Sequence, residues 1–178
     1  MPHEDDGRVT EYRRAAEEAA ERYGDEHHET LKRRTTLASQ LHRFGRLEEA
    51  AREYRGVVQI HARIAGNDHS QTTLTRRLLV QVLLEAGQLQ EAEHHHRAVM
   101  HARALTLGDD HPDTLATMAN HGLLLHRLGR LQEAMQTHTA VLQAVARLPA
   151  DRRAMISQVS QTDLNSTLQE MRDRPPNG

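Results

Sequence analysis

The sequence predicts an all-α protein made of stacked helical hairpins. Three observations carry that reading: a 42-residue internal period, a composition of strong helix formers, and glycines where helices must stop. The period is the strongest of the three. Gly24-Asp25-Glu26-His27 recurs as Gly66-Asn67-Asp68-His69 and as Gly108-Asp109-Asp110-His111, each copy one period on. Phe44-Gly45-Arg46-Leu47, Ala86-Gly87-Gln88-Leu89 and Leu128-Gly129-Arg130-Leu131 keep the same step, and so do Glu49-Ala50, Glu91-Ala92 and Glu133-Ala134. Aromatics make up only 2% of the 178 residues, with no Trp and the single Phe44, whereas sandwiches and barrels lean on aromatic and β-branched side chains. Ala, Leu, Glu, Arg and Gln dominate instead, and all are good helix formers.

Residues 1–23 read as a partial unit. Glu11-Tyr12-Arg13-Arg14 lies one period before Glu53-Tyr54-Arg55, so about Val9 to Tyr23 forms a lone second helix. Three full units follow at 24–65, 66–107 and 108–149. Each opens with a helix A, at about 29–44, 71–86 and 113–128. Thr30, Thr72 and Thr114 sit near its start beside acidic residues that suit the positive end of a helix dipole. Gly45, Gly87 and Gly129 end it, because glycine accepts the left-handed conformation that closes a helix.

Helix B then spans about 47–65, 89–107 and 131–148, ended by another Gly or by Pro149. Leu37, Leu41 and Leu47 match Leu79, Leu83 and Leu89; in the third unit Leu125 and Leu131 hold two of these places and His121 takes the other. Ala50, Ala92 and Ala134 are small where helix B must approach helix A. A single hairpin cannot bury its apolar face, so the units must stack. Residues 150–173 follow, with an amphipathic helix from about Arg152 to Arg172 carrying Ile156, Val159, Leu164, Leu168 and Met171. It falls in the register of a fourth helix A without the repeat's motifs, and reads as a capping helix. Arg174-Pro175-Pro176-Asn177-Gly178 reads as a frayed, disordered tail.

Composition narrows the function classes. A formal charge of -2 does not predict a polyanion-binding surface. Arg33-Arg34, Arg76-Arg77 and Arg152-Arg153 supply basic pairs for an alternative, nucleic-acid-associated reading, but stacking aromatics are missing. With no cysteine there is no disulfide framework and no thiolate metal site, which fits a reducing compartment. Met1–Asp6 lacks the basic and apolar regions of a secretory signal, and no window approaches 18 apolar residues, so the reading is cytoplasmic with no membrane span. No nucleophile elbow and no Gly-rich phosphate loop is present, so no enzyme is expected. The recurring Glu49, Glu91 and Glu133 read as structural.

The run Gly108-Asp109-Asp110-His111-Pro112-Asp113-Thr114-Leu115, followed by Asn120, Gly129-Arg130 and Glu133-Ala134, resembles the 42-residue tetratricopeptide repeat. This is the version familiar from the kinesin light chain and from many bacterial repeat proteins. The resemblance covers 24–149 and is closest in the third copy; the second shifts its Thr-Leu to Thr73-Leu74 and has Val80 where a small residue is usual. It implies a right-handed α-α superhelix, a tetratricopeptide solenoid, with A helices lining a concave groove and B helices outside. It also implies a scaffold or adaptor for a peptide or protein partner.

Aligned on the glycine that ends helix A, the implied groove residues are Lys32, Thr35, Ser39 and His42 in the first copy, with Arg43 at the rim. The second copy gives Leu74, Arg77, Gln81 and Leu84. The third gives Ala116, Ala119, Leu123 and His126, with Asn120 adjacent and Arg127 at the rim. Asn120 matches the family's peptide-holding Asn, whereas Thr36 and Leu78 occupy the equivalent places. A basic and polar end near Lys32, His42 and Arg77 and an apolar end near Leu84 and Leu123 would suit a segment both acidic and hydrophobic. Other readings stay open: a sensor or oligomerisation arm of a larger bacterial regulator, or a homodimer through the terminal helices using an apolar edge of Tyr12, Ala15, Ala16 and Ala19.

Fourteen histidines raise the question of metal. His94-His95-His96 cannot converge on one ion, since neighbours on a helix point about 100° apart. There is no His-Glu-x-x-His, so no metal and no cofactor is expected. His27, His69 and His111 read as turn residues whose rings bond nearby backbone. His96 and His138 take the place of Tyr54 and read as packing groups. Buried histidines of this kind would make the protein acid-sensitive.

Overall fold

The computed structural model describes residues 4–173; the first three residues of the partial unit and the tail expected at 174–178 lie outside the described residues. Within them the chain is all α, with eight helices: α1 (Glu4–Tyr23), α2 (His28–Arg43), α3 (Leu47–Ala65), α4 (Ser70–Glu85), α5 (Leu89–Leu107), α6 (Pro112–Arg127), α7 (Leu131–Val145) and α8 (Ala150–Asp173). The chain divides into two compact units, Met1–His95 and His96–Gly178, with the boundary inside α5.

A histidine opens each of α2, α4 and α6. His27, His69 and His111 hold extended backbone, and each ring Nδ1 accepts the amide two residues on, at 3.3, 3.3 and 3.1 Å, satisfying one of the helix's free donors. The threonines near these starts serve otherwise. Thr30 and Thr72 are buried, and their hydroxyls donate to the carbonyls of Gly24 and Gly66 at 2.7 and 2.8 Å, tying each helix to the preceding turn. At the other end Gly45, Gly87 and Gly129 all take φ 72°. The amides of Arg46, Gln88 and Arg130 then reach back to the carbonyls of Leu41, Leu83 and Leu125 at 2.8–2.9 Å, the six-to-one bond of a glycine-closed helix.

In the first unit α1 packs on α2, α2 on α3 and α3 on α4. Leu37, Leu41, Tyr54, Val57, Leu79 and Leu83 are at most 2% exposed, and burying each such side chain contributes on the order of 1.5–3 kcal/mol. The edge expected on α1 is not open. Ala16 and Ala19 are buried and Tyr12 and Ala15 half-buried, because that face meets α2, while Glu11, Arg14, Glu17 and Glu18 point to solvent. The recurring glutamates have a partner each time. Arg13 donates to Glu49 at 3.0 Å, and Arg55, one repeat later, grips both oxygens of Glu91 at 2.6 and 2.7 Å. In the second unit Arg130 does the same for Glu133 at 2.7 and 2.6 Å.

In the second unit α6, α7 and α8 pack on one another around Leu115, Ala119, Val141, Val145 and Ile156. Helix α7 stops at Val145, three residues short of the expected 148. Pro149 disfavours the helical conformation at Leu148, and the amides of Arg147 and Leu148 drop back to the carbonyls of Ala144 and Val145, three residues earlier. On α8 the inward positions are Ile156, Ser160 and Thr167, while Val159, expected in the apolar stripe, is 43% exposed. Four residues, not three, separate Ile156 from the next buried position.

Two glycines inside helices have a packing reason. A Cβ on Gly122 would lie 2.6 Å from the ring of His138, which is fully buried in α7. A Cβ on Gly56 would lie 2.6 Å from the guanidinium of Arg34, which crosses α3 to reach Glu53 at 3.0 Å. The histidines at the Tyr54 position are indeed interior: His96 and His138 are 9% and 0% exposed.

Candidate functional site: the faces of the A helices

In the first unit the candidate residues lie on α2 and α4. Lys32, Arg77 and Gln81 are exposed, and Leu74 is 49% exposed, an apolar side chain left in water. Thr35, Ser39, His42 and Leu84 are half-buried. Two of these are engaged internally: the Thr35 hydroxyl donates to the Leu31 carbonyl at 2.8 Å, and Ser39 hydrogen-bonds to Tyr54. The rim residue Arg43 is exposed. The accessible side chains of this face are thus the cations Lys32, Arg43 and Arg77, the neutral Gln81, one leucine, and Glu85 on α4.

His42 does not stand alone. Its Nε2 lies 2.7 Å from a carboxylate oxygen of Glu85 on α4, and this bond holds the Glu85 carboxyl below the usual carboxylate range. The second unit repeats the arrangement: His126 on α6 meets Glu170 on α8 at 2.5 Å. Sequence reasoning found both histidines and missed both acids. Glu85 was legible as the residue beside Leu84, where the first and third copies have Arg43 and Arg127. Glu170 was hidden because α8 lacks the repeat's motifs.

On α6, Asn120 is exposed and Leu123 is 40% exposed. Ala116 is half-buried, and Ala119 is 2% exposed inside the core with Leu115 and Val141. Ala119 therefore cannot meet a partner: one position from Asn120 on a helix is a rotation of about 100°, enough to move from surface to core. Between α6 and α8 lies a hollow of ≈ 410 Å³, lined by Leu123, His126, Arg127, Asp163, Ser166 and Glu170. The last three come from α8, which contributed nothing to the expected site.

The arginine pairs are mostly committed elsewhere. Arg33 bonds Glu29 at 2.8 Å and Arg34 bonds Glu53. Arg76 is 8% exposed and holds both the carbonyl and the side-chain oxygen of Asn67, at 2.7 and 2.6 Å. Arg153 bonds the Leu148 carbonyl, and the side chain of Arg152 lies outside the described residues. Of the described pairs, Arg77 alone presents an exposed guanidinium with no such bond. Among the described residues no group of three or more His, Asp or Glu is placed to hold a metal ion, and no helix is long and apolar enough to cross a membrane.

Helix pairs with a recurring turn, closed by the same glycine geometry, define a helical-repeat protein. Two models of the tetratricopeptide repeat match the sequence, over residues 30–71 and 78–146, and the chain belongs to that family. Its solved neighbours agree. A putative kinesin light chain from Podosopora anserina with nearly identical TPR-like repeats superposes with a TM-score of 0.79 at 25% identity, covering 95% of this chain and 82% of that one. BtubC (BKLC) from P. vanneervenii superposes with a TM-score of 0.63 at 16% identity, covering 97% and 78%, which supports the fold alone. No curated protein matches the sequence. Tetratricopeptide repeats form non-enzymatic scaffolds that mediate protein–protein interaction.

Proposed function

We propose that the chain is an adaptor that binds an acidic, partly apolar segment of a partner protein on the faces of its A helices. The observation that supports this most is the exposed set on α2 and α4: Lys32 and Arg77 with Leu74 in the N-terminal halves of the two helices, and Arg43 at the far end of α2. A half-exposed leucine on a face that also carries exposed cations combines apolar surface in water with positive charge. In the second unit the exposed Leu123 offers a second apolar side chain, one helical turn from the exposed Asn120. On this reading the repeats at 24–65, 66–107 and 108–149 present the surface, with 150–173 as their capping helix. A sequence without cysteine fits a cytoplasmic setting for that role.

The experiment is selection from a random-peptide display library. Enriched sequences should carry Asp or Glu next to Leu, Ile or Val. Their affinity should fall at least tenfold when Lys32 and Arg77 are both changed to Glu, with the thermal melt unchanged, since both side chains are exposed. Peptides without acidic residues, or peptides that bind K32E/R77E equally well, would overturn the reading.

A further inference from the structure

We infer that the second unit contains an acid-sensitive joint, formed by the interior rings of His96, His121 and His138, that loosens α6 from its neighbours on mild acidification. It stands whatever the A-helix faces bind.

Position by position, the joint replaces hydrophobic packing. Tyr54 of α3 and Leu79 of α4 are 1% and 0% exposed in the first unit; one repeat later, the same places hold His96 of α5 and His121 of α6, 9% and 7% exposed. The two imidazoles stack with ring centroids 5.6 Å apart and planes 21° from parallel. Next along α6, Gly122 makes room for the third ring, His138 of α7, which is 0% exposed and has neither ring nitrogen hydrogen-bonded. Each ring fills an interior place. Protonation would place a charge in the interior, and protonating both stacked rings would set two like charges at stacking distance.

For His96 and His138 the charged groups facing the ring do not remove that cost. His96 faces His121 across the α5–α6 contact and Arg103 from its own helix, both of which disfavour its protonation. Burial is the largest cause, and together these push His96 down to about 4. His121 faces Glu133 of α7, a carboxylate already held by Arg130 and flanked by Arg97 of α5. His138 faces Asp163 of α8, which favours its charged form, and His126 of α6, which opposes it; burial dominates and lowers it.

The direction of the effect follows. The unfolded chain takes up protons on His96 and His138 at about pH 6.5 while the folded unit resists, so the stability these two rings contribute is full above that pH and declines as pH falls toward 4. For His96 alone, the ratio of open to closed forms rises about thirtyfold from pH 7.5 to pH 5. The carboxylates Glu91 and Glu133 are depressed, by Arg55 and Arg130 respectively, so they give up stability only at lower pH, through and below the usual carboxylate range. In the first unit His61 and His95 are also lowered by burial. They are half-buried, however, and carry partners: the Thr75 hydroxyl at 3.2 Å and Glu91 at 3.7 Å.

The test is amide hydrogen exchange of the full chain at pH 7.5, 6 and 5, corrected for intrinsic rates, on the wild type and on His96→Tyr/His121→Leu, which restores the residues found at positions 54 and 79. Protection in α6 and α7 should fall at least tenfold by pH 5 in the wild type, fall less in α2 and α3, and fall clearly less in the double variant, where His138 alone of the three rings remains. Flat protection in the wild type, or an equal fall in the double variant, would overturn the inference. Should that variant not fold, proton NMR of the wild type decides. A His96 ring that stays neutral down to pH 5 supports the joint, and one that titrates near 6.5 in the folded protein refutes it.

Discussion

Gly122 and Gly56 show how one missing methyl can have two different meanings. Both interrupt helices that would be more stable with alanine by roughly 0.5–1 kcal/mol. At Gly122 the obstacle is the ring of His138, interior and fixed. Adding a Cβ there should lower stability by about 1–3 kcal/mol, the usual cost of overpacking. At Gly56 the obstacle is the outer end of Arg34, a flexible side chain a quarter exposed, which can swing aside. G56A should therefore stay within about 1 kcal/mol of the wild type. Chemical denaturation of the two variants checks this contrast, and a G122A protein as stable as wild type would mean that the His138 site is loosely packed. The turn histidines were legible in the sequence because they recur, and the structure gives their task as helix caps. Ala119 was misplaced because alignment on a glycine fixes a helix's end and not the rotation of each side chain about its axis.

At the scale of elements, what repeats was legible and what does not repeat was not. The starts of α3, α5 and α7 at Leu47, Leu89 and Leu131 coincide with the motif, because the preceding glycine turn fixes them. The end of α7 and the inward face of α8 had no copy to compare against. There local chemistry decided, through Pro149 in one case and the Ile156–Ser160 spacing in the other. That spacing yields a direct prediction for α8. Ile156→Ala should cost about 2–4 kcal/mol, because it empties part of the core shared with Leu115 and Val145. Val159→Ala should stay within about 0.5 kcal/mol, as expected for an exposed position. Equal losses in thermal or urea melts would mean that α8 presents a different face inward. The His42–Glu85 and His126–Glu170 bonds belong to this scale too, since each joins consecutive A helices of one unit. They escaped the sequence reading because the partners sit one or two positions beyond the period, so no motif pairs them.

For the molecule as a whole, near-neutral charge and a composition poor in aromatics make nucleic-acid binding the weaker of the sequence's alternative readings. The structure adds that Arg33, Arg34 and Arg76 are occupied with internal acceptors. On the proposed face the candidate side chains left exposed are Lys32, Leu74, Arg77 and Gln81 in one unit, Asn120 and Leu123 in the other. The two units differ in the residues that fill matching interior places, Tyr54 and Leu79 against His96 and His121, so one repeat plan yields halves with different responses to pH. The central claim is that a partner meets the A helices. Its most direct measurement is the hydrogen-exchange footprint of a selected acidic peptide on the full chain at neutral pH. Protection gained along the A helices of the unit the peptide meets, α2 and α4 in the first or α6 in the second, with α3, α5 and α7 unchanged, is the expected result; a footprint confined to α3, α5 and α7 would contradict it.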